Sequence, residues 1–390
     1  MDEWPPTLRK RYHHVRVLGQ GAFGEVAVAV ERATGRRVAV KRVFLRAGAE
    51  HAALREARAL QAAAHPNVVA LVEALSEGSQ LYLVQELCST DLSRLIAACY
   101  DPLPPQITKG LLRQLLLALD ACHAAGVMHR DVKPSNLLIS FEGLLKLADF
   151  GLARGMGPEG AAAQQDSVGC TSTAALAAAA AAAAGPGSVA ASSGGGGGSE
   201  SSGSGGGNPR PRAAVYEDAA AVAGRYSAAV ATRWYRAPEL LYGAQQYDGA
   251  AVDMWGAGMV FAELLGLAPL IPGSSDIGQL ALMQQLLGSF STLEWPELAQ
   301  LPDWGKVLFE ESSGVGLAAL LPDAPEDGLD LLGHMLRYPP HGRPFAAAAL
   351  AHPYFSNAPP PAGPREILQF SDAALSRHDH ITQRLAALGS

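Results

Sequence analysis

The sequence reads as an α+β protein of two lobes, a small β-rich lobe followed by a larger helical one. Three observations predict this. Residues from about 12 to 86 carry short alternating apolar runs, and residues from about 91 to 355 carry helical periodicity. Between the first two runs lies a glycine-rich loop that strand periodicity, not helix, follows. With 390 residues, 48% of them hydrophobic, there is ample material for a packed core in both lobes.

Taken in order, the first element is the loop Gly19-Gln20-Gly21-Ala22-Phe23-Gly24, a G-x-G-x-x-G. A dinucleotide-binding loop of this form opens a helix. Here Val26, Val28 and Val30 alternate with Ala27, Ala29 and Glu31, which predicts a strand. Thr34-Gly35 predicts a turn, and Val38-Ala39-Val40-Lys41 a second strand. A glycine loop joining two antiparallel strands lets backbone N–H groups come close to phosphate oxygens. The run from Glu50 to Ala64 predicts a helix carrying Glu56, fifteen residues beyond Lys41. A lysine aimed into a cleft requires such a carboxylate to hold it. Farther on, Leu111, Leu112, Leu115, Leu116 and Leu119 fall at helical spacing within Ile107 to Ala125.

Composition excludes several classes. The formal charge of −7 argues against a nucleic-acid-binding surface, which carries a basic footprint. The start MDEWPPTLRK lacks the basic and apolar regions of a secretory leader. No run of 18 bulky apolar residues occurs, and the longest uncharged run, Ser167 to Ser199, is mostly Ala, Gly and Ser, so no membrane insertion is expected. Cys88, Cys99, Cys122 and Cys170 form no C-x-x-C pair, which predicts free thiols in a reduced intracellular compartment.

The chemistry-bearing residues come later. His129-Arg130-Asp131-Val132-Lys133-Pro134-Ser135-Asn136 precedes the apolar Leu137-Leu138-Ile139. Asp149-Phe150-Gly151 follows 18 residues after Asp131, and Ala237-Pro238-Glu239 closes the segment. The order and spacing of these motifs, after the glycine loop and Lys41, point to phosphoryl transfer. That reaction needs alignment and charge neutralisation more than covalent help. In it Asp131 orients a hydroxyl and accepts its proton, and Lys133 neutralises the transferred phosphate. Asn136 and Asp149 supply hard oxygen ligands to a cation. Asp253 is expected to brace the backbone of the catalytic loop, and Glu239 to pair with Arg343.

At this point the sequence resembles the eukaryotic protein kinases, and within them the cyclin-dependent kinases. The resemblance rests on His65-Pro66-Asn67-Val68-Val69, Leu81-Tyr82-Leu83-Val84 and the run from Ala231-Thr232-Arg233-Trp234-Tyr235-Arg236 through Leu240-Leu241-Tyr242-Gly243. The tracts Ala244-Gln245-Gln246-Tyr247-Asp248, Trp295-Pro296-Glu297-Leu298, Leu301-Pro302-Asp303 and Tyr338-Pro339-Pro340-His341 are similar to the cell-cycle-related kinase subgroup, whose algal member is the long-flagella kinase.

The resemblance implies the bilobal protein kinase fold over residues 12–355, with an N-lobe at 12–86, a hinge at 87–90 and a C-lobe at 91–355. An expanded activation loop would cover 155–215 and a C-terminal tail 356–390. It implies ATP and Mg²⁺ as cofactors, with Asp131, Lys133, Lys41 and Glu56 as catalytic residues. The ATP site would comprise Leu18, Gly19, Gln20, Gly21, Ala22, Phe23, Gly24, Val26, Ala39, Lys41, Gln85, Glu86, Cys88, Asp91 and Leu138, with Asn136 and Asp149 on the metal. Ser227 aligns with the activating phosphosite, with Tyr226 as the rival position and Arg55, Arg130 and Arg154 to bind the phosphate. Substrates would be proteins with Ser/Thr-Pro sites, another kinase among them. The subgroup is linked to cell-cycle and cilium or flagellum control, which implies the cytoplasm, the ciliary base or the nucleus as its place.

Three departures stand out. The helix Gly48 to Glu56 lacks the Pro-Ser-Thr-Ala signature of cyclin binders, which leaves a cyclin or cyclin-like activator open. Ala22-Phe23 replaces an inhibitory Thr-Tyr pair. Gln85 stands where a bulky hydrophobic gatekeeper is usual. The rival to an active enzyme is a pseudokinase scaffold, which normally lacks the lysine or one of the two aspartates; all three are present. Beyond the kinase-like region, Pro359-Pro360-Pro361 predicts a loose extension with a short helix within Ala373 to Leu388.

From Thr171 to Gly207, 31 of 37 residues are Ala, Gly or Ser and Glu200 is the sole charge. Such a segment buries too little apolar surface to offset the entropy of ordering it, so it reads as a disordered expansion of a loop. Deleting Thr171–Gly207 is expected to leave the melting temperature and peptide phosphorylation nearly unchanged, measured side by side with the full chain. A large loss of activity would show the insert to be a working element.

Overall fold

A computed structural model of the chain describes residues 4–21, 24–44, 50–155 and 233–388. The insert Thr171–Gly207, Cys170, Ser227 and the loop tip Ala22-Phe23 lie outside those residues.

The first lobe is an antiparallel sheet of five strands in the order β1-β2-β3-β5-β4. Its strands are β1 (Tyr12–Gly21), β2 (Gly24–Glu31), β3 (Arg37–Phe44), β4 (Leu71–Glu77) and β5 (Gln80–Glu86). Burial alternates along β3, as the period-two apolar pattern requires. Val38 and Val40 join Ala27, Ala29, Tyr82 and Val84 in one apolar cluster. Onto it pack Trp4, Leu8 and Tyr12, Leu8 lying on the short helix α1 (Pro6–Arg11). Packing of this lobe therefore starts at Trp4, ahead of the expected boundary at residue 12. The reason is simple burial: two large apolar side chains cap a sheet face that residues 12–86 leave open. The helix α2 (Glu50–Ala62) crosses near β4, within the run expected from Glu50 to Ala64.

The second lobe begins with β6 (Thr90–Asp91) and α3 (Leu92–Ala98), capped at its start by the Asp91 carboxylate accepting from the Arg94 N–H. α4 (Pro105–Ala124) follows, with the five leucines of the helical stripe all buried. Short strands β7 (Val127–Met128), β8 (Leu137–Ile139), β9 (Leu145–Leu147) and β10 (Arg154–Gly155) frame the loops between them. β7 pairs with β10, and β8 lies between β6 and β9. After α5 (Pro238–Leu241) comes α6 (Gly249–Gly266), buried from Gly249 to Leu264 and capped by Asp248, which accepts from Ala250 and Ala251. A helix apolar on all sides belongs in the middle of a core; α4 packs on it, and after α7 (Asp276–Leu287) and α8 (Leu317–Leu320) so does α9 (Glu326–Met335), with α10 (Ala346–Leu350) and α11 (Pro353–Ser356) completing the lobe. No helix among the described residues is long and apolar enough to cross a membrane.

The tail corrects one expectation. In place of a loose extension with a short helix from Ala373, a 25-residue helix α12 (Pro364–Leu388) runs back over the second lobe. Ile367, Ser371 and Ala374 are buried at i, i+4 and i+7 against the neighbouring α3 and α4. Two glycines make room for the tail: a Cβ on Gly110 of α4 would lie 2.5 Å from the Ala362 carbonyl oxygen, and one on Gly143 1.9 Å from that of Pro364. The proline run bends the chain into this path and does not end the packed structure.

The expected Glu239–Arg343 pair is present and fully enclosed, with Nη1–Oε1 at 2.7 Å and Nη2–Oε2 at 2.8 Å. The guanidinium also donates to the Ala251, Tyr338 and Arg337 carbonyls. It thereby ties α5 and α6 to the loop before α10. Glu239→Ala strands this buried cation and is expected to cost about 3–5 kcal/mol, read from urea denaturation; a loss below about 1 kcal/mol would show that the pair carries little of the packing.

Candidate active site

The cleft lies between the lobes, on the face of β3 opposite the apolar cluster. Lys41 points from that face and meets two carboxylates: Glu56 Oε1 on α2 at 2.6 Å and Asp149 Oδ1 at 2.7 Å. Burial works against the Lys41 charge, but Glu56 and Asp149 outweigh it and hold its pKa above the ordinary value. Burial likewise raises the Asp149 carboxyl, and Lys41 more than reverses this, keeping Asp149 below the usual carboxylate range. For Glu56 burial prevails and lifts its pKa in spite of Lys41. One cation against two carboxylates leaves room for further positive charge, and Asp149 is the carboxylate open to the cleft, its side chain 44% exposed against 4% for Glu56. Asp149 adopts φ 61°, and a Cβ on Gly151 would sit 3.3 Å from its Oδ1 and 3.6 Å from Glu56 Oε2, so a side chain there would press on the Asp149 carboxylate.

The loop His129–Asn136 crosses beneath, between β7 and β8. Asp131 is buried, and its Oδ2 accepts from Lys133 Nζ at 2.7 Å and from Asn136 Nδ2 at 2.9 Å. Asn136 Nδ2 also donates to the Asp131 carbonyl at 2.8 Å. With its amide nitrogen committed twice, Asn136 keeps Oδ1 for a hard cation. Asp253 of α6 braces the loop as expected: Oδ2 accepts from the His129 N–H at 2.8 Å and Oδ1 from the Arg130 N–H at 2.7 Å. A third bond, His123 Nε2 to Asp253 Oδ2 at 2.9 Å, has no signal in the sequence, since it joins α4 to α6 across 130 positions. His129 itself meets the Ala148 carbonyl at 2.9 Å and the Phe150 ring edge-on, linking the loop to Asp149-Phe150-Gly151.

The remaining expected residues divide by place. Gly19 pairs with Val26 and Gln20 with Glu25 across β1 and β2; Gly21 pairs with Gly24, while Ala22 and Phe23 fall outside the described residues. At Gly24, with φ 142°, a Cβ would lie 1.8 Å from the Arg42 carbonyl oxygen, so only glycine fits; at Gly19 nothing lies within 4 Å, which leaves open space for a ligand. Leu18 is exposed, and Val26, Ala39 and Leu138 are half-buried. Glu86 spends its side chain on Lys146 Nζ at 2.8 Å and the Ala70 N–H at 2.7 Å, so its contribution to the cleft is backbone. The neighbouring Glu86 and Ser89 N–H groups donate to Ala70 and Ile139, whereas the Cys88 N–H donates to no group among the described residues. Burial, reinforced by Glu86, pushes the Cys88 thiol up to about 12, so it stays protonated at neutral pH. A purine with its triphosphate fits these features: an idle backbone donor, an open glycine cradle, an ammonium, and oxygens for a divalent cation.

Ser227 is outside the described residues, but the elements of its three arginines are adjacent: β10 pairs with β7 and neighbours α2. Arg130 donates to the Leu152 carbonyl at 2.8 Å and to the Tyr247 hydroxyl at 2.9 Å, and Arg154 to the Ala153 carbonyl at 3.0 Å. Arg55 also has a partner, so none of the three stands unpaired. Tyr247 was not expected here; it lies 117 positions from Arg130 and carries no local signal.

The fold and this cleft define a protein kinase. The protein kinase domain family matches residues 12–173 and 214–355, and the chain belongs to that family. It is 39% identical over 355 residues to Cyclin-dependent kinase 20 of Rattus norvegicus, covering 90% of this chain and 84% of that one. Identity to Cyclin-dependent kinase 20 of Homo sapiens is 38% over 354 residues, with coverage of 90% and 84%. To Cyclin-dependent kinase D-1 of Arabidopsis thaliana it is 35% over 368 residues, with 94% and 76%. The chain is a serine/threonine protein kinase of the cyclin-dependent-kinase-like type, and its family uses ATP with a divalent metal ion.

Asp253→Asn offers a test of the brace. An amide presents one acceptor oxygen where the carboxylate presents two, and its NH₂ would face a backbone N–H. The substitution is expected to cost about 2–3 kcal/mol in denaturation and to lower turnover at least tenfold; a variant with unchanged turnover would show the loop holds itself.

Proposed function

We propose that this chain is a proline-directed serine/threonine kinase that uses Mg²⁺ with ATP and acts in the cell cycle and in cilium or flagellum assembly and length, with another kinase among its substrates. The observation that carries the reading of an active enzyme is the assembled triad of Lys41, Glu56 and Asp149 beside a braced Asp131. ATP with its metal supplies an activated phosphoryl group when bound. Gly19, Gly21 and Lys41 would hold the phosphates, and Asn136 and Asp149 would hold the metal. Asp131 orients the acceptor hydroxyl and takes its proton, and Lys133, 2.7 Å from Asp131, sets positive charge next to that point. Ser227 is the activating phosphosite, and a phosphate there would draw Arg55, Arg130 and Arg154 from their present partners and join α2, the catalytic loop and the activation segment. The proline preference, the ciliary role and a place in the cytoplasm, ciliary base or nucleus rest on the sequence resemblance, while the relatives named Cyclin-dependent kinase 20 support the cyclin-dependent-kinase-like reading.

The test is transfer of phosphate to peptides that differ at one position, Ser-Pro against Ser-Ala, with Mg²⁺-ATP. The Pro peptide is expected to react at least tenfold faster. Asp131→Asn should bind ATP nearly as wild type while turnover falls at least a hundredfold. Equal rates on both peptides would sink the proline preference, and an undiminished Asp131→Asn would sink the assignment of the base.

A further inference from the structure

The register of β3 on β5 sets Ala39 opposite Gln85 and Lys41 opposite Leu83. Directly opposed residues of two paired strands project to the same face of the sheet. Gln85 therefore lies on the face that sends Lys41 to Glu56 and Asp149, away from the apolar cluster of Val38, Val40, Tyr82 and Val84. Its amide nitrogen Nε2 is buried and has no hydrogen-bond partner among the described residues. An apolar side chain of equal size would fill this position with no unmet donor, so the amide is unfavourable here unless something enters the cleft to meet it. Along the same wall, the Cys88 N–H is a second donor without a partner among the described residues.

A primary amide offers a donor and an acceptor side by side. Adenine offers the complement along one edge, the ring acceptor N7 beside the 6-amino donor, and glutamine pairs with that edge through two hydrogen bonds. Guanine has an oxygen in place of the amino group, which would set two acceptors against each other. We propose that the Gln85 amide reads the base: Nε2 donates to N7 and Oε1 accepts from the 6-amino group, making Gln85 a specificity-determining residue for ATP over GTP. This rests on the reading of the cleft as the ATP site.

The experiment measures Mg²⁺-nucleotide dissociation constants of the full chain and of Gln85→Met for ATP, for 7-deaza-ATP, in which N7 is a C–H, and for GTP. Wild type is expected to bind 7-deaza-ATP about 3- to 10-fold more weakly than ATP, the worth of one hydrogen bond. Gln85→Met, similar in size and without the amide, should bind ATP and 7-deaza-ATP alike and should discriminate less against GTP. The same ATP to 7-deaza-ATP ratio in both proteins would overturn the proposal and assign Nε2 to water, while the ATP site itself would stand. If Gln85→Met does not fold, a wild-type ratio near one overturns the proposal alone. Failure of wild type to bind ATP at all would overturn the ATP site and the proposal with it.

Discussion

One ammonium facing two carboxylates holds the working parts of this molecule in register. Lys41 stands on β3, Glu56 on α2 and Asp149 between β9 and β10, so the contacts at 2.6 and 2.7 Å draw strand, helix and second lobe to a single point. Burial penalises every charge in the group, and the group persists because Lys41 attracts both carboxylates, more than offsetting the burial of Asp149 and offsetting that of Glu56 in part. The net negative charge that remains is open to the cleft through Asp149. A cation-bearing phosphate ligand is what such a point attracts, and the same electrostatics that bind α2 to β3 therefore prepare the site.

The second lobe supplies rigidity by another route. α6 is buried along almost its whole length, and its Asp253 carboxylate turns outward to accept from two backbone N–H groups of the catalytic loop and from His123. A loop with Arg130 at φ 69° requires such fixing, because a non-glycine residue pays for that conformation unless its surroundings impose it. The enclosed Glu239–Arg343 pair performs a matching task lower in the lobe, where Arg343 also lies over the Trp255 ring. Polar groups within an apolar core thus set positions that apolar packing alone would leave loose.

The ends of the chain extend the packing beyond the part that carries chemistry. Trp4 and Leu8 close the outer face of the first sheet, and α12 closes α3 and α4. The second closure also holds the chain just past α3: Tyr100 meets His378 Nδ1 at 3.0 Å, and Arg377 meets Asp101 at 3.3 Å.

By itself the sequence determined what is local. Valine alternation marked β2 and β3, leucines at helical spacing marked α4, and the ordered motifs from Gly19 to Glu239 marked nearly every group of the site, because periodicity and short spacings are properties of neighbours along the chain. The expected Asp253 and Glu239–Arg343 contacts were legible only through the family's pattern. Tertiary structure alone decided what depends on distant segments meeting: that Lys41 is shared between Glu56 and an Asp149 lying 108 positions on, that His123 and Tyr247 join the catalytic loop, and that Gly110 and Gly143 are bare so that the tail can pass. The tail helix was misread for the same reason. A proline run is a local stop signal, whereas the burial of Ile367, Ser371 and Ala374 that stabilises α12 is supplied by α3 and α4, which the local signal cannot see.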